Sequence, residues 1–173
     1  MLNLNPIVHA ILEDYALAPN GIHGVAHWAR VLENGLRLAE ATGANVEVVQ
    51  LFAVFHDSRR VNDGVDHGHG QRGAELATQL RGDLFDLSDL DFWLLCEACA
   101  RHTDGFTDGD ITIQTCWDAD RLDLGRVGKT PNPQRLWTAA AKRPDILKWA
   151  YGRGCFPVIP EIVSADWAIG MKP

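Results

Sequence analysis

Apolar residues recur along this chain at helical spacing. Between Pro6 and about Leu17, Ile7, Val8, Ile11, Leu12 and Tyr15 fall on one face and predict a short helix. Ala18-Pro19-Asn20-Gly21 reads as a turn. A longer helix is expected from Ile22 to about Thr42, packed through Trp28, Val31, Leu32, Leu36 and Leu38 and stopped by Gly43. His23 and His27, four apart, would share a face near its start. Asn45 suits an N-cap for the next helix, about Val46 to His56. That segment is apolar nearly all round, which places it at the centre of the fold. Ser58 to Gly70 is a polar loop. Helices follow over Gln71–Leu80 and, after a capping box at Ser88–Asp91, over Leu90–His102. Asp108-Gly109 reads as a turn. Ile111-Thr112-Ile113 would pass for a strand, but amphipathic spacing continues to Leu124 and favours helix. A Gly- and Pro-rich loop, Gly125 to Pro133, leads to short helices at Gln134–Ala141 and Pro144–Tyr151. In the tail, Phe156 to Pro173, Ile162, Trp167 and Ile169 suggest packing against the body. The pattern predicts an all-α, single-domain helical bundle over residues 1–173, with its core at about 21–125.

Composition narrows the function classes. The chain has 173 residues and a net charge of -7, which argues against nucleic-acid polymers and anionic membranes as partners. No apolar stretch approaches the roughly 20 residues of a membrane span. The first residues lack the basic start and cleavage site of a signal peptide. The four cysteines are Cys96, Cys99, Cys116 and Cys155. Cys96 and Cys99 have the spacing of a zinc knuckle, but no second pair follows, so buried free thiols are the reading. These features together predict a cytoplasmic protein. They leave the oligomeric state open.

Six polar residues sit oddly on this apolar pattern: His27, His56, Asp57, His69, His102 and Asp120. Five lie near a helix end or inside an apolar helix, and His69 lies where a loop enters one. An imidazole and a carboxylate at the end of a buried helix are costly to desolvate. One buried histidine is easily satisfied by a hydrogen bond. Six such groups on five segments are satisfied together by a metal centre between facing helices.

At these positions the sequence resembles the HD-domain superfamily of metal-dependent phosphohydrolases. The resemblance rests on His27, then His56-Asp57, then Asp120 within Ala119-Asp120-Arg121-Leu122. It extends to His27-Trp28-Ala29-Arg30-Val31 and His69-Gly70-Gln71-Arg72-Gly73-Ala74-Glu75, and it covers about His23 to Asp123. It implies an all-α fold with a divalent metal held by His27, His56, Asp57 and Asp120. His69 and His102 fall where binuclear branches place histidines for a second ion, with Asp57 as the bridge; His67 competes with His69 for that place. Arg101-His102-Thr103-Asp104-Gly105 looks like the branch that cleaves bis-nucleoside tetraphosphates. Some nucleotidase branches carry a Glu three residues after the His-Asp; here Arg60 stands there.

The implied chemistry is hydrolysis of a phosphate ester or anhydride in a small phosphorylated, nucleotide-like molecule, by water activated at one or two divalent ions. Imidazole-rich ligation points to iron or manganese, with magnesium, cobalt, zinc and nickel as alternatives. Asp57, Arg59 and Arg60 are the expected catalytic residues, one arginine gripping a phosphate oxygen. Lys129 and Arg126 are weaker candidates on a loop. Arg121 is expected to pair with Asp118 or Asp123. His23 is expected beside the ligands or as a proton carrier, and His9 at the surface. Two other functions stay open: an HD-fold di-iron oxygenase, and a non-catalytic domain that senses a nucleotide.

Overall fold

The computed structural model describes residues 2–104, 109–156, 158–167 and 169, and among these it contains helices and no strand. The expected turn at Asp108-Gly109 lies outside them at Asp108. The elements are α1 (Asn5–Glu13), α2 (Val25–Thr42), α3 (Val46–Phe55), α4 (His69–Leu80), α5 (Asp89–Arg101), α6 (Ile111–Leu122), α7 (Pro144–Cys155) and α8 (Ile162–Ala165). A 3-10 helix, Asp123–Val127, continues α6. None of the described helices is long and apolar enough to cross a membrane.

α3 is the axis of the fold. Every residue from Val48 to Phe55 is buried, because α2, α5, α6, α4 and α1 pack around it. Asn45 starts the helix by accepting hydrogen bonds from the amides of Glu47 (3.0 Å) and Val48 (3.3 Å). The helix runs directly into His56-Asp57, so the position of both side chains is set by the best-packed segment of the chain. Trp28, Phe52, Phe55, Ile7, Ile11 and Leu95 fill the core. Trp167 is also fully buried there, and α8 packs on α2.

α4 approaches α3 and α5 through two glycines. A Cβ on Gly73 would stand 2.3 Å from the Phe55 carbonyl oxygen, and one on Gly70 would stand 2.1 Å from that of Cys99. Only bare backbone allows this contact, and it brings His69 to the end of α3 and to His102 at the end of α5.

Some boundaries differ from the sequence pattern for local reasons. α2 begins at Val25 because residues 18–24 close into successive turns, with Gly21 N donating to Ala18 O and Gly24 N to Gly21 O. His23 therefore precedes the helix. α1 ends at Glu13, and Tyr15 turns edge-on to Trp28. The expected helix over Gln134–Ala141 is a short 3-10 turn at Pro133–Arg135 followed by irregular backbone. There the buried Asp118 carboxylate accepts the amides of Trp137 (2.9 Å) and Thr138 (2.8 Å) and the Thr138 hydroxyl (2.8 Å). Those donors serve a tertiary contact and not a helix ladder.

Candidate metal centre

The ends of five helices bring the six sequence-selected ligand candidates into one buried cluster. His56 and Asp57 continue from α3, His69 opens α4, His102 follows α5, His27 lies in the first turn of α2, and Asp120 lies in α6. Their side chains form two sets that share Asp57. In the first, His27 Nε2 and His56 Nε2 are 3.1 Å apart. Asp57 Oδ2 lies 3.6 and 3.8 Å from them, and Asp120 Oδ1 lies 3.5 and 3.8 Å from them. In the second, His69 Nε2 and His102 Nε2 are 2.9 Å apart, with Asp57 Oδ1 at 3.1 and 3.7 Å. Each oxygen of one carboxylate therefore faces a different pair of imidazoles.

Hydrogen bonding fixes the tautomers. His56 Nδ1 lies 3.1 Å from the Phe52 carbonyl oxygen, His69 Nδ1 2.6 Å from that of Asp66, and His102 Nδ1 2.8 Å from that of Cys99. His27 Nδ1 lies 2.7 Å from Asp123 Oδ2. These oxygens only accept, so each Nδ1 carries its hydrogen, and an Nε2 that gives up its proton turns a lone pair into the cluster. Two lone pairs about 3 Å apart repel unless a cation lies between them. Ligands about 2.1 Å from one divalent ion stand about 3.0–3.4 Å from each other, close to the separations observed. The donor set fits a divalent metal.

The electrostatics keep the cluster ready for a cation. Burial pushes His56 down to about 3 despite Asp57 and Asp120, so the ring stays neutral. Burial pushes Asp57 up, but the neighbouring imidazoles, His56 first and then His102, His23 and His27, prevail and hold it well below the usual range. Asp120 is likewise raised by burial, then brought to about 2 by Arg126 and the histidines.

Around these ligands lie residues that, His23 apart, the sequence pattern did not assign. Asp123, in addition to holding His27, takes Arg30 through two hydrogen bonds of 2.7 and 3.0 Å. Arg30 and Asp123 are almost wholly buried. The available signal was Arg30 three residues after His27 and Asp123 three after Asp120. His23 Nδ1 lies 2.7 Å from Asp57 Oδ2, and the Tyr15 hydroxyl donates to the His23 carbonyl. Arg72 clamps the 58–68 loop by donating to both Asp66 oxygens and to the carbonyls of His67 and Arg59.

The two arginines after Asp57 part company. Arg60 enters the cluster: its Nη1 is 3.1 Å from His69 Nε2 and 3.4 Å from Asp57 Oδ1. Arg59 turns away to donate to the carbonyls of Ile11 (3.0 Å) and Ser58 (3.2 Å), so the structure does not bring it to the ligands. Arg126 is held by the carbonyls of Ile22 and Asp123, with Nη2 3.8 Å from Asp120 Oδ1. It is thus fixed in the 3-10 helix beside the site. Arg121 donates to the carbonyls of His102 and Asp104. The expected ion pair with Asp118 or Asp123 does not form, because Asp118 is taken by residues 137–138 and Asp123 by His27 and Arg30. His67 is exposed and Lys129 lines a separate cavity with Arg121 and Arg135. His9 is exposed, with Nε2 2.9 Å from the Trp167 carbonyl oxygen. Cys96, Cys99, Cys116 and Cys155 are free thiols; Cys99 and Cys116 are buried, and Cys96 and Cys155 partly so. A cleft of about 470 Å³ reaches the second ligand set between Arg60, Asp66, His67, His69, Thr103 and Asp104.

Comparison with known proteins gives the family. The HD domain family matches residues 24–139, two thirds of the sequence, which includes all six ligand candidates. The chain belongs to the HD domain family. A similar solved structure is that of a predicted HD superfamily hydrolase from an uncultured Thermotogales bacterium. It is 26% identical, with a TM-score of 0.66 over 87% of this chain and 86% of that one. No curated protein matches.

Proposed function

We propose that this HD domain protein is a metal-dependent phosphohydrolase acting on a phosphate ester or anhydride of a small phosphorylated, nucleotide-like molecule. The observation that carries the reading is the sharing of Asp57 between two imidazole pairs, with the Arg60 guanidinium against the second. His27, His56, Asp57 and Asp120 would hold one divalent ion, and His69 and His102 with Asp57 a second; iron or manganese suits these donors best. A bound divalent ion lowers the pKa of its water from about 15.7 to about 7, which supplies hydroxide at neutral pH.

The protein's own groups do the rest. Asp57 and Asp120 bring negative charge to the cation site. Asp123 and the backbone carbonyls hold the four rings with Nε2 inward. Arg60 lines the cleft, and its guanidinium, though bonded to His69, Asp57 and the loop carbonyls, brings a fixed positive charge toward a phosphate oxygen there. Arg59 is committed to α1, so this role falls to Arg60. Arg126 stands on the Asp120 side as a second fixed cation. His23, hydrogen-bonded to Asp57, is able to hold or pass a proton there.

The test is a screen of nucleotides and simple phosphoesters with Mn²⁺, Fe²⁺, Co²⁺ or Mg²⁺. Turnover that is lost in Asp57→Ala is expected; no turnover with any metal would sink the reading. The imidazole-rich donor set, four histidines to two aspartates, also favours a second reading, a di-iron oxygenase. Metal-dependent consumption of oxygen in the absence of phosphate release would support it.

A further inference from the structure

The two ligand sets are electrostatically unequal. The first combines His27 and His56 with one oxygen from each of two carboxylates, Asp57 and Asp120. On the Asp120 side a fixed cation, Arg126, stands 3.8 Å from Asp120 Oδ1. The second has His69, His102 and the single Asp57 oxygen Oδ1. Against these atoms lies Arg60 Nη1, 3.1 Å from His69 Nε2 and 3.4 Å from Asp57 Oδ1.

Arg60 is not free to leave. Its Nη2 donates to the Gly64 carbonyl at 2.6 Å and its Nε to that of Asn62 at 3.3 Å. The loop that supplies those carbonyls is itself tied down by Arg72, which occupies the Asp66 carboxylate. The guanidinium side chain is 8% exposed, and its only carboxylate partner among the described residues is Asp57. An arginine does not shed its charge at any ordinary pH. A divalent ion shared by His69, His102 and Asp57 would therefore meet a permanent positive neighbour among largely buried ligands, and it would compete with that neighbour for the same lone pair of His69.

We infer that Arg60 makes the two metal positions unequal: one ion binds tightly at His27, His56, Asp57 and Asp120, and a second binds weakly at His69 and His102, its affinity set by the guanidinium. This inference rests on the metal reading above and goes beyond it, because it assigns to this chain's own arginine the control of metal stoichiometry.

The experiment titrates chelator-treated, full-length protein with Mn²⁺ and counts free ion by its paramagnetic resonance signal. Wild type should take up one Mn²⁺ per chain tightly and a second at least 10-fold more weakly. Arg60→Gln, which removes the charge, should tighten the second step by 10-fold or more and narrow the gap. Arg60→Lys, which keeps the charge, should retain it. His102→Ala should abolish the second step alone. Two equal Mn²⁺ affinities in wild type would overturn the inference, and this arm needs no mutant to fold. So would an unchanged gap in Arg60→Gln, or a gap closed as far by Arg60→Lys, which would trace the effect to loop packing. Both positions filled as expected, but with no phosphate ester turned over, would count against the hydrolase reading alone. No Mn²⁺ uptake would overturn both.

Discussion

Single side chains at this site are set by what they bond behind the cluster. His27 shows it most clearly: its Nδ1 meets Asp123, which in turn is held by Arg30. A partner that orients a ligand in this way contributes to affinity without touching the ion. Asp123→Asn should weaken metal binding about 10–100-fold, read by competition with a fluorescent chelator; unchanged affinity would make Asp123 merely structural. The same residues set a pH dependence. His56 is displaced by burial from 6.5 to about 3. Between those values the unfolded chain binds a proton that the folded chain refuses, so stability falls as pH drops below 6.5. Asp120, raised by burial but carried by Arg126 and the histidines to about 2, adds a loss below its ordinary 3.8. His102 works the other way. Burial lowers it, but the neighbouring Asp57 carboxylate prevails and raises it; its contribution is complete below 6.5 and lost as pH rises through its folded value. The chelator-treated protein should therefore melt at a lower temperature at pH 4 than at pH 6.5 in scanning calorimetry. An equal or higher Tm at pH 4 would contradict the assigned shifts.

At the scale of elements, the site depends on how closely α4 approaches the end of α3. Glycine at 70 and 73 makes that approach possible, and a methyl at Gly73 would meet the Phe55 carbonyl at 2.3 Å. Overpacking of this kind costs about 1–3 kcal/mol. Gly73→Ala should show at least that loss in urea unfolding and should also weaken the ion held by His69. Wild-type stability in this variant would mean that α4 can slide without cost. Element identity was largely legible in the sequence: α3 announces itself by being apolar all round, and the Asn45 cap by its place before it. The 134–141 segment was not, because the groups that break its helix, Asp118 and the amides it accepts, lie about 20 residues apart in sequence. Helical periodicity carries no trace of a hydrogen bond made at that separation.

For the molecule as a whole, the cluster is a concentration of polar groups at the centre of the bundle, and an ion that binds only the folded chain adds directly to its stability. At a free metal concentration 100 times Kd the gain is about 2.7 kcal/mol, which for a chain of this size is a rise in Tm of about 5–10 °C. Adding a chelator to metal-loaded protein should reverse that rise in a thermal-shift assay, and re-adding Mn²⁺ should restore it. A Tm indifferent to both would show that the cluster is held by hydrogen bonds alone.

The sequence by itself determined that the chain is helical and which six polar residues sit against its apolar pattern. Both follow from periodicity and composition, which are local properties. It also placed Arg59 and Arg60 next to Asp57, but adjacency along a chain does not say which way a side chain turns. Only the tertiary structure sent Arg59 to the carbonyls of α1 and Arg60 into the ligand set. Only the tertiary structure, likewise, put Asp123 behind His27, drew Arg126 to Asp120 and gave each oxygen of Asp57 its own pair of imidazoles. These contacts join residues up to 96 positions apart. They are decided by how the helices pack, since packing alone determines which buried donor finds which acceptor.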